Sequence, residues 1–319
     1  MTNFNLIEEY KGIFVEQTKE KLGKTNFILD NIQSAQEIIG KTFLEWDQKE
    51  DIALYLSLFG ASSPRSLYFY FAVLKRFAEF VSEEIGQLPP KYKMPNLQDE
   101  NILNYNNLAK KTLTYQQYIH IKNQLTILKN GVEANIRDKV IFELAWAGLT
   151  NEEIKLLKEE NITFIYNELG LEVAILEMKN RVQRIEDLEL IDDIKKCMKE
   201  KFYYVETKSG VMKKMSYREV PYLIKPVKIG IPKKEGYLNN PGLALQKTFR
   251  GQGIICEGID MDYLSLEDVR RSKLIYLLAP QNEKYFDLET VRGIFNLKTT
   301  DSLKWLKDVA KEKYIEGKS

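Results

Sequence analysis

Between Gly86 and Thr112 the chain loses all helical periodicity, and this break limits how the remainder can fold. Gly86, Pro89, Pro90 and Pro95 exclude a regular helix, because proline lacks the donor a helix needs and clashes with the preceding turn. Asn96 to Asn107 is polar and asparagine-rich, and Lys110-Lys111 closes the stretch. A chain of 319 residues broken here is expected to form two domains, residues 1–88 and 113–319, joined by a linker over 89–112. With 44% hydrophobic and 29% charged residues, a chain of this size can bury sizeable cores without disulfides.

The first domain reads as helical. Ser63-Pro64 supplies a cap followed by proline at the first helical position. Leu67, Phe71, Leu74, Ala78 and Val81 then recur on one helix face, and Arg65, Tyr68, Lys75 and Arg76 fall opposite. A basic face backed by a packed one suits a helix laid along a phosphate backbone; an ordinary solvated helix has the same composition. In the second domain, Thr114 is expected to cap a helix through about Asn130, and Ile136, Val140, Leu144 and Ala147 form the buried stripe of the next. Thr150-Asn151-Glu152-Glu153 is a capping box, in which the threonine oxygen meets the amide of Glu153 and the Glu153 carboxylate reaches back. Residues 162–190 change period: Leu171, Val173 and Ile175, a polar Met178–Arg181 turn, then Val182 to Leu190 read as a β-hairpin. Ser265 caps a further helix with Asp268 at its third position, and helices near 288–296 and 300–314 follow. The expected fold class is mostly α with a small antiparallel β-sheet.

Composition excludes several functions. Cys197 and Cys256 are far apart and form no paired motif, so they read as reduced thiols of a cytoplasmic protein. One histidine, His120, with two separated cysteines gives no zinc-ligand set, and no metal or cofactor is expected. No stretch approaches about 18 unbroken apolar residues, so no membrane association is expected. Met1-Thr2-Asn3-Phe4 lacks the basic start of a signal peptide. The net charge of +1 is silent on partners, but its distribution is not: residues 195–250 carry fourteen Lys or Arg against four Asp or Glu. That segment is +10 and the rest of the chain −9, a segregation typical of polyanion binding, although charge runs also serve plain solvation.

Two segments carry a family likeness. Arg137-Asp138-Lys139-Val140-Ile141-Phe142-Glu143-Leu144-Ala145-Trp146-Ala147-Gly148-Leu149 and Ser265-Leu266-Glu267-Asp268-Val269-Arg270-Arg271-Ser272 resemble the two main motifs of the tyrosine recombinases, or phage integrases. The resemblance spans most of the chain and implies a helical core-binding domain, a linker and an α+β catalytic-type domain. It places Thr150 where the family has its first catalytic arginine, with Glu153 retained three residues later. Lys179 fits the hairpin lysine that acts as general acid, and Arg184 the basic residue after it. Glu267 stands where a histidine opens the second motif, while Arg270 is kept. Leu288 to Leu297 resembles the helix that ends in Gly-His, with Asn296-Leu297 in that place, and Thr299-Thr300-Asp301-Ser302-Leu303 puts leucine where the nucleophilic tyrosine belongs.

Phosphoryl transfer of that kind needs two guanidiniums on the phosphate oxygens, imidazoles for proton movement and an attacking phenolate. Thr150, Glu267, Leu297 and Leu303 supply none of these. The resemblance therefore implies a protein that holds DNA without cutting it: a sequence-specific double-stranded DNA-binding transcriptional repressor that maintains prophage lysogeny, and no enzyme. A recombination accessory protein, an active recombinase with a non-standard nucleophile, and an interaction module binding an acidic partner are the alternatives. Expected DNA contacts are Arg65, Lys75, Arg76, Lys179, Arg184, Lys213, Lys214, Arg218, Lys225, Lys247, Arg250, Arg270 and Arg271, closing on the duplex as a clamp. Each also has an ordinary reading: Arg270 and Arg271 as partners of Glu267 and Asp268, Lys179 as a polar turn residue, Thr150 as a helix cap. Expected partners are operator DNA, a small protein or peptide antagonist, and a second copy engaged through the C-terminal helix. The expected location is the nucleoid.

Overall fold

A computed structural model of the chain describes residues 5–18, 22–46, 49–61, 64–96, 102, 111–128, 131–207, 209–228, 236–279, 287–311 and 313–314. Ser63 and most of 97–110 lie outside the described residues. The chain divides into two units, Met1–Leu108 and Ala109–Ser319. It is mostly helical with two small antiparallel sheets. Among the described residues no helix is long and apolar enough to cross a membrane.

The first unit contains α1 (Leu6–Thr18), α2 (Leu22–Ile39), α3 (Glu50–Ser57) and α4 (Pro64–Glu84). Its core is aromatic: Phe77 meets Phe14 edge-on at 5.2 Å and stacks on Phe43 at 5.3 Å. On α4, Leu67, Leu74, Ala78 and Val81 are buried with Val73 and Phe77, Phe71 is half-buried, and Arg65, Tyr68, Lys75 and Arg76 are exposed. Part of the stretch read as a linker belongs to this core. Tyr92 and Ile102 are buried in it, and the Tyr92 hydroxyl donates to the Phe43 carbonyl. The prolines stop the helix; they do not prevent an extended segment from packing.

The second unit opens with α5 (Tyr115–Gln124), α6 (Ile136–Trp146) and α7 (Asn151–Leu156). Helix α5 stops at Gln124, short of Asn130, because the chain turns back through Gly131 at φ +74° and pairs Ile127 with Glu133. A three-stranded sheet follows: β1 (Ile162–Tyr166), β2 (Glu172–Met178) and β3 (Arg181–Ile185), with Ile162 opposite Leu176 and Met178 opposite Arg181. Strand β3 ends before Leu190 because Asp187 accepts from the amides of Glu189 at 3.0 Å and Leu190 at 3.2 Å, starting α8 (Leu188–Lys199). A second hairpin, β4 (Phe202–Glu206) with β5 (Met212–Ser216), precedes α9 (Pro241–Gln252), α10 (Leu266–Leu278), α11 (Leu288–Ile294) and α12 (Asp301–Lys311).

Helix α6 is the axis of this unit, and every one of its residues is buried. An apolar stripe was visible in the sequence; its charged residues are buried as well, and Arg137, Asp138 and Lys139 each have a close partner. Asp138, fully buried, accepts from Arg137 Nε at 2.8 Å, Thr248 Oγ1 at 2.6 Å and Tyr203 Oη at 3.1 Å. The Arg137 guanidinium also lies over the rings of Tyr203 and Tyr217, 4.5 and 5.3 Å from their centroids. The amides of Ile136 and Arg137 donate to Glu200 at 3.1 and 3.4 Å, which closes the helix N-terminus. Further along, Lys139 bridges Asp193 at 2.7 Å and Glu189 at 3.0 Å, while Lys122 reaches Glu189 at 2.6 Å and lies 3.9 Å from Glu143. Glu143, Glu189 and Asp193 have the spacing of a metal-ligand set, but two ammoniums already stand among them. Burial, together with the nearby Asp193 charge, pushes the Glu143 carboxyl up to about 8.

Two outcomes follow from this buried ionic core. Asp138→Asn keeps the shape but strips Arg137 of its counter-charge, and is expected to cost about 3–5 kcal/mol in urea unfolding of the full chain. Glu143 binds its proton more tightly when folded than when unfolded. Stability should therefore fall as pH rises from about 4.5 to about 8, and Glu143→Gln should remove that fall. Equal slopes of melting temperature against pH for the two proteins would refute the assignment.

Candidate nucleic-acid interface

Thr150, Glu153 and Arg270, three of the residues singled out by the motif resemblance, come together with Arg181 near the C-terminal end of α6. Gly148 leaves the helix at φ +102°, and a Cβ there would sit 3.2 Å from the Phe295 ring, so glycine is required. Its carbonyl accepts from two guanidiniums at once, Arg181 Nη2 at 3.0 Å and Arg270 Nε at 2.9 Å. Arg270 also donates to the Phe295 carbonyl at 2.8 Å, and its Nη1 lies 3.5 Å from Glu267. Arg181, at the start of β3, engages Glu153 at 2.7 and 3.0 Å, Gln183 at 2.8 Å and the Ile294 carbonyl at 2.8 Å. Burial and the adjacent Arg181 charge lower the Arg270 pKa from its usual value.

This placement changes the meaning of Arg270. Expected to face a phosphate, it is 7% exposed and braces α10 against the ends of α6 and α11. Arg181, which the sequence reading passed over, is the second brace. Its five N–H groups all have acceptors.

Thr150, Glu267, Leu297 and Leu303 each have a local role or setting. Thr150 caps α7: its hydroxyl accepts from the Glu153 amide at 3.3 Å and its amide donates to the Glu153 carboxylate at 2.8 Å. Glu267 is largely exposed beside Arg270. Leu297 is half-buried past α11, its amide donating to the Arg292 carbonyl at 3.0 Å. Leu303 is fully buried in α12 with Leu306, Val309 and Ala310. Helix α12 docks on its own chain, against α10 and α11. Tyr314, beyond α12, has its ring 6.4 Å from that of Tyr276, and burial raises its phenol pKa.

The basic residues separate into committed and outward-facing ones. Arg184 is bound to Glu186 at 2.7 Å, Arg250 to Asp262 at 2.6 Å, and Arg271 lies 3.5 Å from Asp268. Lys225 is an internal strut: it pairs with Glu159 at 2.7 Å and donates to the Met198 carbonyl at 2.7 Å, so it departs from the expected phosphate contact. Arg65, Lys75 and Arg76 are exposed on α4, with Lys75 3.8 Å from Glu79. Lys179 is exposed at the β2–β3 turn, Lys213 and Lys214 on β5, and Lys247 on α9. Lys214 stands over the Phe202 ring at 3.8 Å.

Arg218 and Lys225 line a cleft of about 630 Å³ together with three residues not singled out before: Lys199, Lys201 and Lys228. These come from the end of α8, the approach to β4 and the loop after β5. The sequence counted them within the basic run but could not bring them together. Glu200, which interrupts the run, turns inward to the α6 amides and leaves its cationic neighbours facing solvent. Among the described residues, Lys199, Lys201, Lys213, Lys214, Lys228 and Lys247 are exposed and have no carboxylate partner. Such a surface attracts phosphates and displaces their counterions. Lys208, Lys233 and Lys234 lie outside the described residues.

No protein-family model matches the chain, and no curated protein does. Solved structures do align with it at low identity. XerH site-specific recombinase bound to palindromic difH substrate, in a post-cleavage complex, is 13% identical over 91% of this chain and 76% of that one, with a TM-score of 0.49. The Tn1549 transposon integrase in complex with transposon right end DNA is 11% identical over 99% of each chain, at 0.47. XerA recombinase is 11% identical over 99% of this chain and 98% of that one, at 0.40. No residue role is carried over from likenesses at this level. These neighbours are recombinases and an integrase, all enzymes, so the expectation that the chain is not an enzyme is corrected: fold-level likeness runs toward enzymes.

Proposed function

We propose that the protein binds duplex DNA with sequence selectivity and acts as a transcriptional repressor, occupying promoter DNA of a prophage or related mobile element to keep it silent. The observation that supports this reading most is the set of outward lysines on the second unit, grouped around the Lys199–Lys201–Lys228 cleft, where they outnumber the lining carboxylates Glu200 and Glu219 and form no ion pair with them. Ammoniums so disposed gain more from a polyphosphate than from any ligand of single charge, because each phosphate neutralised releases a counterion. The exposed basic face of α4 offers the first unit the same kind of contact. Base readout would fall to arginines that stay accessible, with Arg65 and Arg76 of α4 the candidates. The regulatory role rests on the motif resemblance. Strand cleavage is a separate property, read by a covalent adduct on a nicked suicide substrate.

If about six to eight phosphates are neutralised, the logarithm of the binding constant should fall against log salt with a slope near −5 to −7 in fluorescence anisotropy with operator fragments. Lys199→Ala, Lys201→Ala and Lys228→Ala together should reduce that slope by about 3 without lowering the melting temperature. A slope near zero would remove the proposal. Arg270→Ala should behave differently: with the Phe295 carbonyl stripped of this donor and the Gly148 carbonyl left to Arg181 alone, stability should fall by about 1–3 kcal/mol while the salt slope of the folded fraction stays unchanged. Footprinting across the host genome, paired with reporter transcription, tests repression; occupancy without any change in transcription would leave DNA binding standing and overturn the regulatory role.

A further inference from the structure

The two small sheets of the second unit have outer strands that are guarded, with one exception. The free side of β4 is closed by Asn135, whose side chain accepts from the Tyr204 amide at 2.7 Å and donates to the Tyr204 carbonyl at 2.8 Å. Strand β5 carries Lys213 and Lys214, and the Lys228 amide donates to the Ser216 carbonyl at its end at 2.8 Å. Strand β3 carries Arg181 and Arg184. Charge and cover of this kind keep foreign strands off a sheet edge. Strand β1, Ile162-Thr163-Phe164-Ile165-Tyr166, has neither a charge nor a proline, and among the described residues no strand pairs with its outer side. Apolar side chains stand out from it: Ile165 is 42% and Tyr166 73% exposed.

The hairpin of β1 and β2 fixes which backbone groups point outward. The Asn167 amide donates to the Leu171 carbonyl at 2.9 Å, so these two residues face each other as a bonded pair. Antiparallel ladders alternate, which turns the N–H and C=O of Ile165 and Thr163 toward β2 and those of Tyr166, Phe164 and Ile162 away from it. The Ile162 amide donates to the Glu159 carbonyl in the preceding turn. Phe164 and Tyr166 therefore direct their N–H and C=O groups at the outer side, where no protein group among the described residues meets them. Their spacing is that of an open ladder.

We propose that β1 pairs with β1 of a second copy of this chain, antiparallel about a two-fold axis at Ile165, so that two three-stranded sheets become one. In this register Phe164 and Tyr166 exchange N–H and C=O with Tyr166 and Phe164 of the second copy, Ile165 meets its own counterpart, and Thr163 meets Asn167. A register centred on Phe164 would set Glu160 against Glu168 and is opposed by like charge. Phe164 and Tyr166 share one face of the strand, so the exposed Tyr166 ring covers the half-buried Phe164 of the second copy. Neutrality favours a second copy over a charged peptide: β1 offers a charged segment no counter-ion, while it matches itself residue for residue. The C-terminal helix is not available for this purpose, because Leu303, Leu306, Val309 and Ala310 of α12 are buried within their own chain. Pairing through β1 does not depend on whether the chain binds DNA.

The test is sedimentation velocity of the full-length chain without DNA, from about 1 to about 200 µM; a short edge interface is expected to give dimers in the upper part of that range. Ile165→Lys and Ile165→Glu each set like charges against one another across the axis, so each alone should stay monomeric. Mixed in equal amounts the two variants should associate again through opposite charges, a recovery that a general loss of structure would not give. An unaltered chain that is monomeric throughout, dimers that persist in Ile165→Lys, or no recovery on mixing would overturn the proposal. Should the charged variants fail to fold, Ile165→Cys decides. Facing residues of a non-bonded antiparallel pair lie about 4.5 Å apart at Cα, within disulfide reach. Diamide is expected to link Ile165→Cys into a covalent dimer that the unaltered chain, with Cys197 and Cys256 buried, does not form. A variant that stays monomeric after oxidation would overturn the pairing.

Discussion

One backbone oxygen organises the second unit. The Gly148 carbonyl sits just beyond the C-terminal end of α6, where the helix dipole is negative, and takes N–H groups from both Arg181 and Arg270. Through those guanidiniums four separate pieces of chain are tied to one point: the exit of α6, the start of β3, the middle of α10 and the end of α11. Glu153 supplies the counter-charge, and its own carboxylate is held in place by the Thr150 cap. Glycine is demanded by the backbone angle and by the Phe295 ring together. A cationic pair directed at a carbonyl is a stabilising device, and here it uses the arginine that the sequence motif marked for phosphate.

That reversal shows which parts of a sequence can be read and which cannot. The caps Thr114, Thr150 and Ser265 were legible because each acts over three residues, and all three form reciprocal hydrogen bonds in the structure. The polarity of α4 was legible for the same local reason. Arg181 was not, because its partners lie 28, 33 and 113 residues away. The full burial of α6 was hidden too: Arg137, Asp138, Lys139 and Glu143 look like a solvated face until Tyr203, Thr248, Glu189 and Asp193 arrive from distant elements. The Lys199–Lys201–Lys228 cleft was half legible, as a charge excess without a shape. The second hairpin, whose lysine-rich strand β5 lacks the apolar alternation of a strand, gave no signal of its own.

The two clefts of the second unit differ in kind. One gathers cations from three segments and is open to a polyanion. The other, of about 630 Å³ between α5, α6 and α10, carries Lys273 beside the Trp146 and Tyr276 rings and is lined by Glu143, Glu186, Asp187 and Glu189. They share α6 and α8 as supports: Glu200 closes the N-terminus of α6 beside the first, while Glu143, on the same helix, lines the second. Charge within each cleft is set less by composition than by which carboxylates have been drawn away to cap helices or to neutralise buried lysines.

The extremities of the second unit meet on α10. The Leu113 amide donates to Ser272 Oγ at 2.7 Å, the Lys313 ammonium reaches the Thr112 carbonyl, and the Tyr314 ring lies against Tyr276. Entry and exit of the polypeptide are thus fastened to one another through a shared strut. Loosening α10 would therefore be felt at Leu113 and at Tyr314 together, although about 200 residues separate them along the chain.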